Sequence, residues 1–259
     1  MLKYLYVNRY TRTYKYVTQP GFSIKEAKEA GVDTIIVPAA GEEDFEPILE
    51  LCHKNENVFA LLGVHPEFCE KFNDETAKKI LELAKDEKVV GIGEIGLDYH
   101  YSKENKEIQK RCFITQLEIA KILDLPIVVH DRDAHKDTLD ILKEQKAKNV
   151  LLHCFSGSVE FMKECTILGF KIALGGVVTF KNAVVPKEVA KEVNLEDLML
   201  ETDCPYLTPH PFRGLENSPK YIAFSAKEIA KIKDIPYDEL AHITSKNAKK
   251  FFRLEDSIS

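Results

Sequence analysis

The feature that most limits how this chain can fold is a repeat. Short apolar runs recur, and segments with helical spacing separate them. The clearest runs are 34–38 (TIIVP), 58–64 (VFALLGV), 126–130 (PIVVH), 149–153 (NVLLH), 170–174 (FKIAL) and 197–203 (DLMLETD). The longest is 89–99 (VVGIGEIGLDY), and 2–8 supplies a first one. Continuous β-branched runs of this length read as strands buried on both faces, as in parallel sheets. The intervening segments read as helices. In 43–54, Phe45, Ile48, Leu49 and Cys52 fall on one face. In 73–85, Asn73 is placed to cap the first turn. Further helices are expected at 23–30, 104–123, 134–146, 158–168 and 186–193, with Gly169 ending the helix before it. A helical tail is expected at 220–231, 237–241 and 245–252.

Eight strands alternating with helices imply a parallel sheet, and the length of 259 residues suits a closed (βα)8 TIM barrel. An open doubly wound sheet is the other arrangement with this alternation, but no G-x-G-x-x-G follows the first strand. The polar residues favour the barrel. Glu94, His130, His153 and Asp203 each arrive where an apolar run gives way, and His65 follows the third run. A barrel brings all its strand carboxyl ends to one mouth, whereas an open sheet would string these residues along an edge. No linker, low-complexity segment or break in composition divides the chain, so 1–259 is expected to be one domain.

Hydrophobic residues at 44% and charged residues at 30% supply enough material for an ordinary globular core. A formal net charge of −6 argues against a general nucleic-acid coat protein, while leaving room for a local basic rim. No apolar run reaches the length of a membrane span, and the N-terminal stretch lacks the apolar core of a signal peptide. The six cysteines form no C-x-x-C pair and read as reduced thiols in a cytoplasmic protein. Cys154 and Cys204, directly after His153 and Asp203, read as small packing residues.

A charged side chain at the end of a buried strand is costly unless something pairs with it. Imidazoles and carboxylates gathered together suit one or two divalent cations: Zn, Mn or Ni, or Mg where oxygen ligands dominate. In this reading Glu94 can bridge two ions, His130 and His153 supply nitrogen, and Asp203 is either a ligand or the base that deprotonates water. Such a centre acidifies water and neutralises an anionic transition state, as hydrolysis of a phosphodiester requires. Arg132, two residues past His130, is placed to hold a phosphate or to pair with Asp131 or Asp133. His65 is placed to orient substrate or shuttle a proton, or is simply a turn histidine before Pro66. Asp98 is expected to anchor its loop or a ligand histidine. Glu201 is expected on the same face as Asp203.

These residues lie in blocks that resemble the TatD family of metal-dependent deoxyribonucleases. The blocks are G-V-H-P at 63–66, G-E-I-G-L-D at 93–98, V-H-D-R-D-A at 129–134, H-C-F-S-G at 153–157, E-T-D-C-P-Y-L at 201–207 and P-F-R-G-L-E-N-S-P at 211–219. The resemblance implies an amidohydrolase-type barrel that hydrolyses DNA, often as a 3′→5′ exonuclease, with single-stranded DNA or 3′ ends as partner. It places Glu94, His130 and His153 on the family's metal-ligand positions, Asp203 on its last carboxylate and His65 on its active-site histidine. Most relatives open with an H-x-H pair; here 6–8 reads Tyr-Val-Asn, similar to a branch of the family that lacks the pair. The site of Glu94, His130 and His153 is therefore expected to persist and a second metal position to be weak or empty. Arg9, Arg12 and Lys15 among Tyr10, Tyr14 and Tyr16 have the makeup of a single-strand contact or of a solvated loop. A monomer is expected. The competing functions are a metal-dependent amidohydrolase or esterase acting on a small molecule, and a metal-binding relative with weakened catalysis.

Overall fold

The computed structural model describes the backbone of residues 4–6 and all of residues 24–101 and 104–254. Eight strands form one sheet in chain order, every neighbouring pair parallel. They are β1 (Tyr4–Tyr6), β2 (Thr34–Pro38), β3 (Val58–Leu62), β4 (Val89–Asp98), β5 (Ile127–Arg132), β6 (Val150–Leu152), β7 (Lys171–Leu174) and β8 (Leu198–Leu200). Helices α1 (Ile24–Glu29), α2 (Phe45–Lys54), α3 (Asp74–Leu83), α4 (Lys106–Leu123), α5 (His135–Glu144), α6 (Val159–Ile167) and α7 (Val184–Glu192) alternate with them. The chain closes with α8 (Ile222–Lys233) and α9 (Tyr237–Phe251). This is the (βα)8 TIM barrel that the strand repeat predicts.

Alternation along each strand sorts the core into two layers. Ile36, Phe59, Leu61, Val90, Val128, Leu151, Ala173 and Met199 form an inner cluster joined by Phe252 and Leu254. Their neighbours, such as Ile35, Val37, Ala60, Leu62, Val129, Leu152 and Leu174, pack outward against the helices. The next inward position after Val128 is His130, after Leu151 it is His153, and after Met199 it is Glu201. The site is thus the polar layer directly above a packed apolar interior.

Local signals place the helix ends where expected. Asn73 Oδ1 accepts the N–H groups of Glu75 and Thr76 at 2.9 and 3.1 Å, and Gly169, at φ +82°, follows α6. One expectation fails. The tail segments 237–241 and 245–252 are a single helix, because residues 242–244 contain neither Gly nor Pro. Thr244 also turns its hydroxyl onto Leu240 O at 2.9 Å, so its polar group is satisfied inside the helix.

Candidate metal centre

β4 does not stop at its first glycines, as a strand running into a turn would. It continues for 10 residues to Asp98, and its pairing with β5 shifts register between Ile92 and Ile95. Glu94 therefore sits in a bulge within the strand, a device that re-aims a side chain. Glycine is required on both sides. A Cβ on Gly93 would lie 2.8 Å from Val128 Cβ, and one on Gly96, at φ +142°, would lie 2.0 Å from His130 O. β5 is also longer than expected, so Arg132 is its last residue rather than the start of the loop.

The strand order separates the ends of β3 to β8, yet their side chains meet. His130 Nδ1 and His153 Nε2 are 3.1 Å apart, and His153 Nε2 is 3.4 Å from Glu94 Oε2. Beyond them, His130 Nε2 faces Asp98 Oδ2 at 3.0 Å and His153 Nδ1 faces Glu201 Oε2 at 3.5 Å. All five residues are buried, none more than 5% exposed. Each histidine thus keeps one nitrogen for the centre and turns the other to a carboxylate, which is how metal-binding histidines are oriented. Ligands about 2.1 Å from a common ion stand about 3.0–3.4 Å apart at octahedral or tetrahedral angles. Two separations in this cluster match that spacing, and the ligand atoms of His65, Glu94 and His130 all lie within 4.8 Å of one another, so the imidazoles and carboxylates gathered here fit a divalent cation.

Among the described residues, the group of three whose ligand atoms all lie within 4.8 Å is His65, Glu94 and His130, without His153. The His65 ring centroid is 4.4 Å from that of His130. However, His65 Nδ1 accepts the backbone N–H of Glu67 at 3.3 Å. With that hydrogen bond, a neutral ring would carry its proton on Nε2 and could act as a donor. Asp203 lies past the end of β8 at φ +54°, and Cys154, next to His153, is at φ +43°. Left-handed backbone at non-glycine residues is strained and clusters at functional sites. The same turn breaks the alternation between Glu201 and Asp203: Glu201 faces His153, while Asp203 lines the open cleft. Burial pushes the Glu201 carboxyl up to about 8, against hydrogen bonds from Cys154.

The centre opens into a cleft of about 670 Å³ lined by His130, Arg132, His153 and Asp203 together with Tyr101, His135 and Tyr206. Arg132 is not paired with its acidic neighbours. Asp131 holds His135 at 2.8 Å and Asp133 holds His100 at 3.1 Å, while the Arg132 guanidinium lies 4.7 Å over the Tyr101 ring. None of the six cysteines forms a disulfide, and Cys204 is buried beside the Thr202 hydroxyl at 2.7 Å. Residues 7–23 lie outside the described residues, and with them Asn8 and the loop 9–16, as does the Tyr6 side chain.

Sequence reading missed the clamps that hold the strand ends. Gln116 of α4 accepts the N–H of Val64 at 2.7 Å and donates to its carbonyl at 3.1 Å. Gln109, two turns earlier, does the same for Asp98 at 2.8 and 2.9 Å. Two glutamines seven apart on the apolar face of a helix were the available signal.

The TatD related DNase family matches residues 12–253. The chain belongs to the TatD family. It is 44% identical over 233 residues to the metal-dependent hydrolase YabD of Bacillus subtilis, covering 89% of this chain and 91% of that protein. It is 39% identical over 210 residues to the metal-dependent hydrolase YcfH of Escherichia coli, covering 80% and 78%. Its fold matches the crystal structure of the E. coli TatD homologue YJJV with a TM-score of 0.85 at 33% identity, covering 89% and 90%. This TatD-family chain is accordingly a metal-dependent hydrolase. Among its described residues, no helix is long and apolar enough to cross a membrane.

Proposed function

We propose that this TatD-family protein is a deoxyribonuclease that hydrolyses phosphodiester bonds of single-stranded DNA, working from 3′ ends, as a cytoplasmic, single-domain monomer. The observation that supports it best is the pairing of His130 and His153 around Glu94, each backed by a carboxylate, at the floor of a cleft that also presents Arg132. Glu94, His130 and His153 would hold one divalent cation, with Asp203 a further ligand or the base beside it. With no histidine at residues 6 or 8, a second cation would be bound weakly or not at all. A divalent cation there, whether Mg, Mn, Zn or Ni, supplies Lewis acidity that acidifies water and offsets anionic charge.

The residues around it divide the remaining work. Asp203 would accept the proton of the attacking water on its carboxylate as the new P–O bond forms, and the leaving oxygen departs with the bonding pair and takes a proton from solvent. His65, protonated on Nε2, donates to a non-bridging phosphate oxygen. Arg132 holds a neighbouring phosphate through its guanidinium. Asp98 and Glu201 fix the rings of His130 and His153 so that the inner nitrogens stay aimed.

The test is cleavage of 3′-labelled single-stranded DNA with Mg or Mn, with and without chelator, alongside metal analysis of the purified protein. The reading expects release of mononucleotides from the 3′ end, abolished by chelator, and about one ion per chain. Metal-independent cleavage, or none with any cation, would count against it. Metal without nuclease activity, but with cleavage of cyclic amides or small esters, would favour the small-molecule alternative.

A further inference from the structure

Eight large apolar side chains stand exposed among the described residues, and only two are aromatic: Tyr101 at 58% and Tyr206 at 47%. Both line the cleft above the candidate metal centre. They come from different strand ends, after β4 and after β8, yet they are built alike. Each lies three residues past a carboxylate of the site and is tied back to it. The Tyr101 N–H donates to Asp98 Oδ1 at 3.0 Å. The Tyr206 N–H donates to the backbone oxygen of Asp203 at 2.9 Å.

The supports continue outward. The other oxygen of Asp98 holds His130, so one carboxylate sets both the ring at the centre and the backbone of Tyr101. Asn217 Nδ2 donates to Tyr206 O and Thr202 O, each at 2.6 Å, fixing the second loop. The Arg132 guanidinium lies over the Tyr101 ring at 4.7 Å, and the His100 ring meets it edge-on at 4.8 Å and 90°. Rings held in water on a braced backbone lose the benefit of burial and gain it when a flat partner covers them.

We propose that Tyr101 and Tyr206 are stacking platforms for unpaired nucleobases, holding the nucleotides next to the scissile phosphate. This inference rests on the nuclease reading above and names which groups of the DNA the cleft grips. Bases in a duplex are already stacked on one another, so two exposed rings at the cleft select single strands. The cleft volume of about 670 Å³ lies in the range of small-ligand sites, about 300–1,000 Å³. It is too confined for a folded partner. Arg132 joins the two kinds of contact, its guanidinium over Tyr101 and its charge available to phosphate.

The probe is an eight-nucleotide single-stranded phosphorothioate DNA with 2-aminopurine at its 3′ terminus, titrated with protein in MgCl2. Binding is expected to quench the 2-aminopurine fluorescence. Tyr101→Ala and Tyr206→Ala should each weaken Kd about tenfold, equal to about 1.4 kcal/mol, and reduce the quench. Phenylalanine at either position should restore both, because the ring and not the hydroxyl stacks. An abasic terminus should bind the wild type as weakly as the alanine variants and erase the difference between them. Thermal melting of each variant checks the fold, which surface positions rarely disturb. Tight binding without quenching and indifferent to both alanines overturns the stacking role while leaving the nuclease reading intact. No binding of the DNA, with cleavage of bis(4-nitrophenyl) phosphate retained, overturns stacking and moves the substrate to small phosphodiesters. Neither binding nor cleavage removes both readings.

Discussion

His130 and His153 each aim one ring nitrogen at the other and the second at a carboxylate, Asp98 at 3.0 Å for the first and Glu201 at 3.5 Å for the second. The two carboxylates are held very differently. Asp98 ends the 10-residue β4 and also accepts the N–H groups of His100 and Tyr101 at 2.9 and 3.0 Å. Gln109 clasps its backbone from both sides. Glu201 follows a strand of three residues, is wholly buried and has Cys154 for support, and burial pushes its carboxyl up to about 8. The same histidine–carboxylate pattern is thus rigid on one flank of the centre and loosely held on the other. A carboxylate with several fixed donors orients its histidine whether or not a cation is present, whereas one surrounded by apolar atoms does so less firmly.

The largest effect is expected where the two flanks share a group. Glu94→Ala should remove both the bound metal and the hydrolytic activity, leaving the circular dichroism of the barrel unchanged. Metal analysis and the DNA assay read both together. Next comes the rigid flank. Asp98→Asn places an amide where His130 and two backbone N–H groups converge, and should cost about 10–100-fold in metal affinity. Glu201→Gln keeps an acceptor oxygen toward His153, so its loss should fall at or below about tenfold. Isothermal titration of the chelated proteins ranks the pair, and equal losses would erase the asymmetry.

A smaller effect isolates the brace. Gln109→Ala leaves the buried N–H and C=O of Asp98 without their partner, at about 1–3 kcal/mol of stability. It should weaken metal binding less than Asp98→Asn does. The smallest effect comes from a third histidine–carboxylate pair, His135 with Asp131, on the cleft wall. The hydrogen bond that His135 Nδ1 donates to the Asp131 carboxylate holds the His135 pKa above its usual 6.5. The pair's contribution to stability is therefore full below that value and fades as pH rises through the raised one. Asp131→Asn should flatten this slope in melting temperature between pH 6 and 8, leaving metal affinity unchanged.

The comparison also marks where the sequence was readable. Buried parallel strands are continuous apolar runs, so PIVVH and NVLLH revealed both β5 and β6 and the histidines that end them. Side chains that terminate such runs meet at one mouth in a barrel, which is why the sequence alone groups Glu94, His130 and His153. The bulge was not readable. The same Gly-rich string describes a turn or a kinked strand, and only the contacts of Gly93 with Val128 and of Gly96 with His130 require the strand. Nor was the division of labour on β8, because the left-handed turn at Asp203 breaks the alternation that put it beside Glu201. The tyrosines of the cleft were hidden for a plainer reason: sequence does not report exposure, and an aromatic residue is by default read as core.

One divalent cation is expected between β4, β5 and β6, held by Glu94, His130 and His153. Anomalous diffraction from crystals soaked in MnCl2 tests it directly. The account predicts a single strong peak within about 2.3 Å of His130 Nδ1, His153 Nε2 and a Glu94 oxygen. A peak bound by His65, Glu94 and His130 with His153 turned away, or no peak at the strand ends, would contradict it.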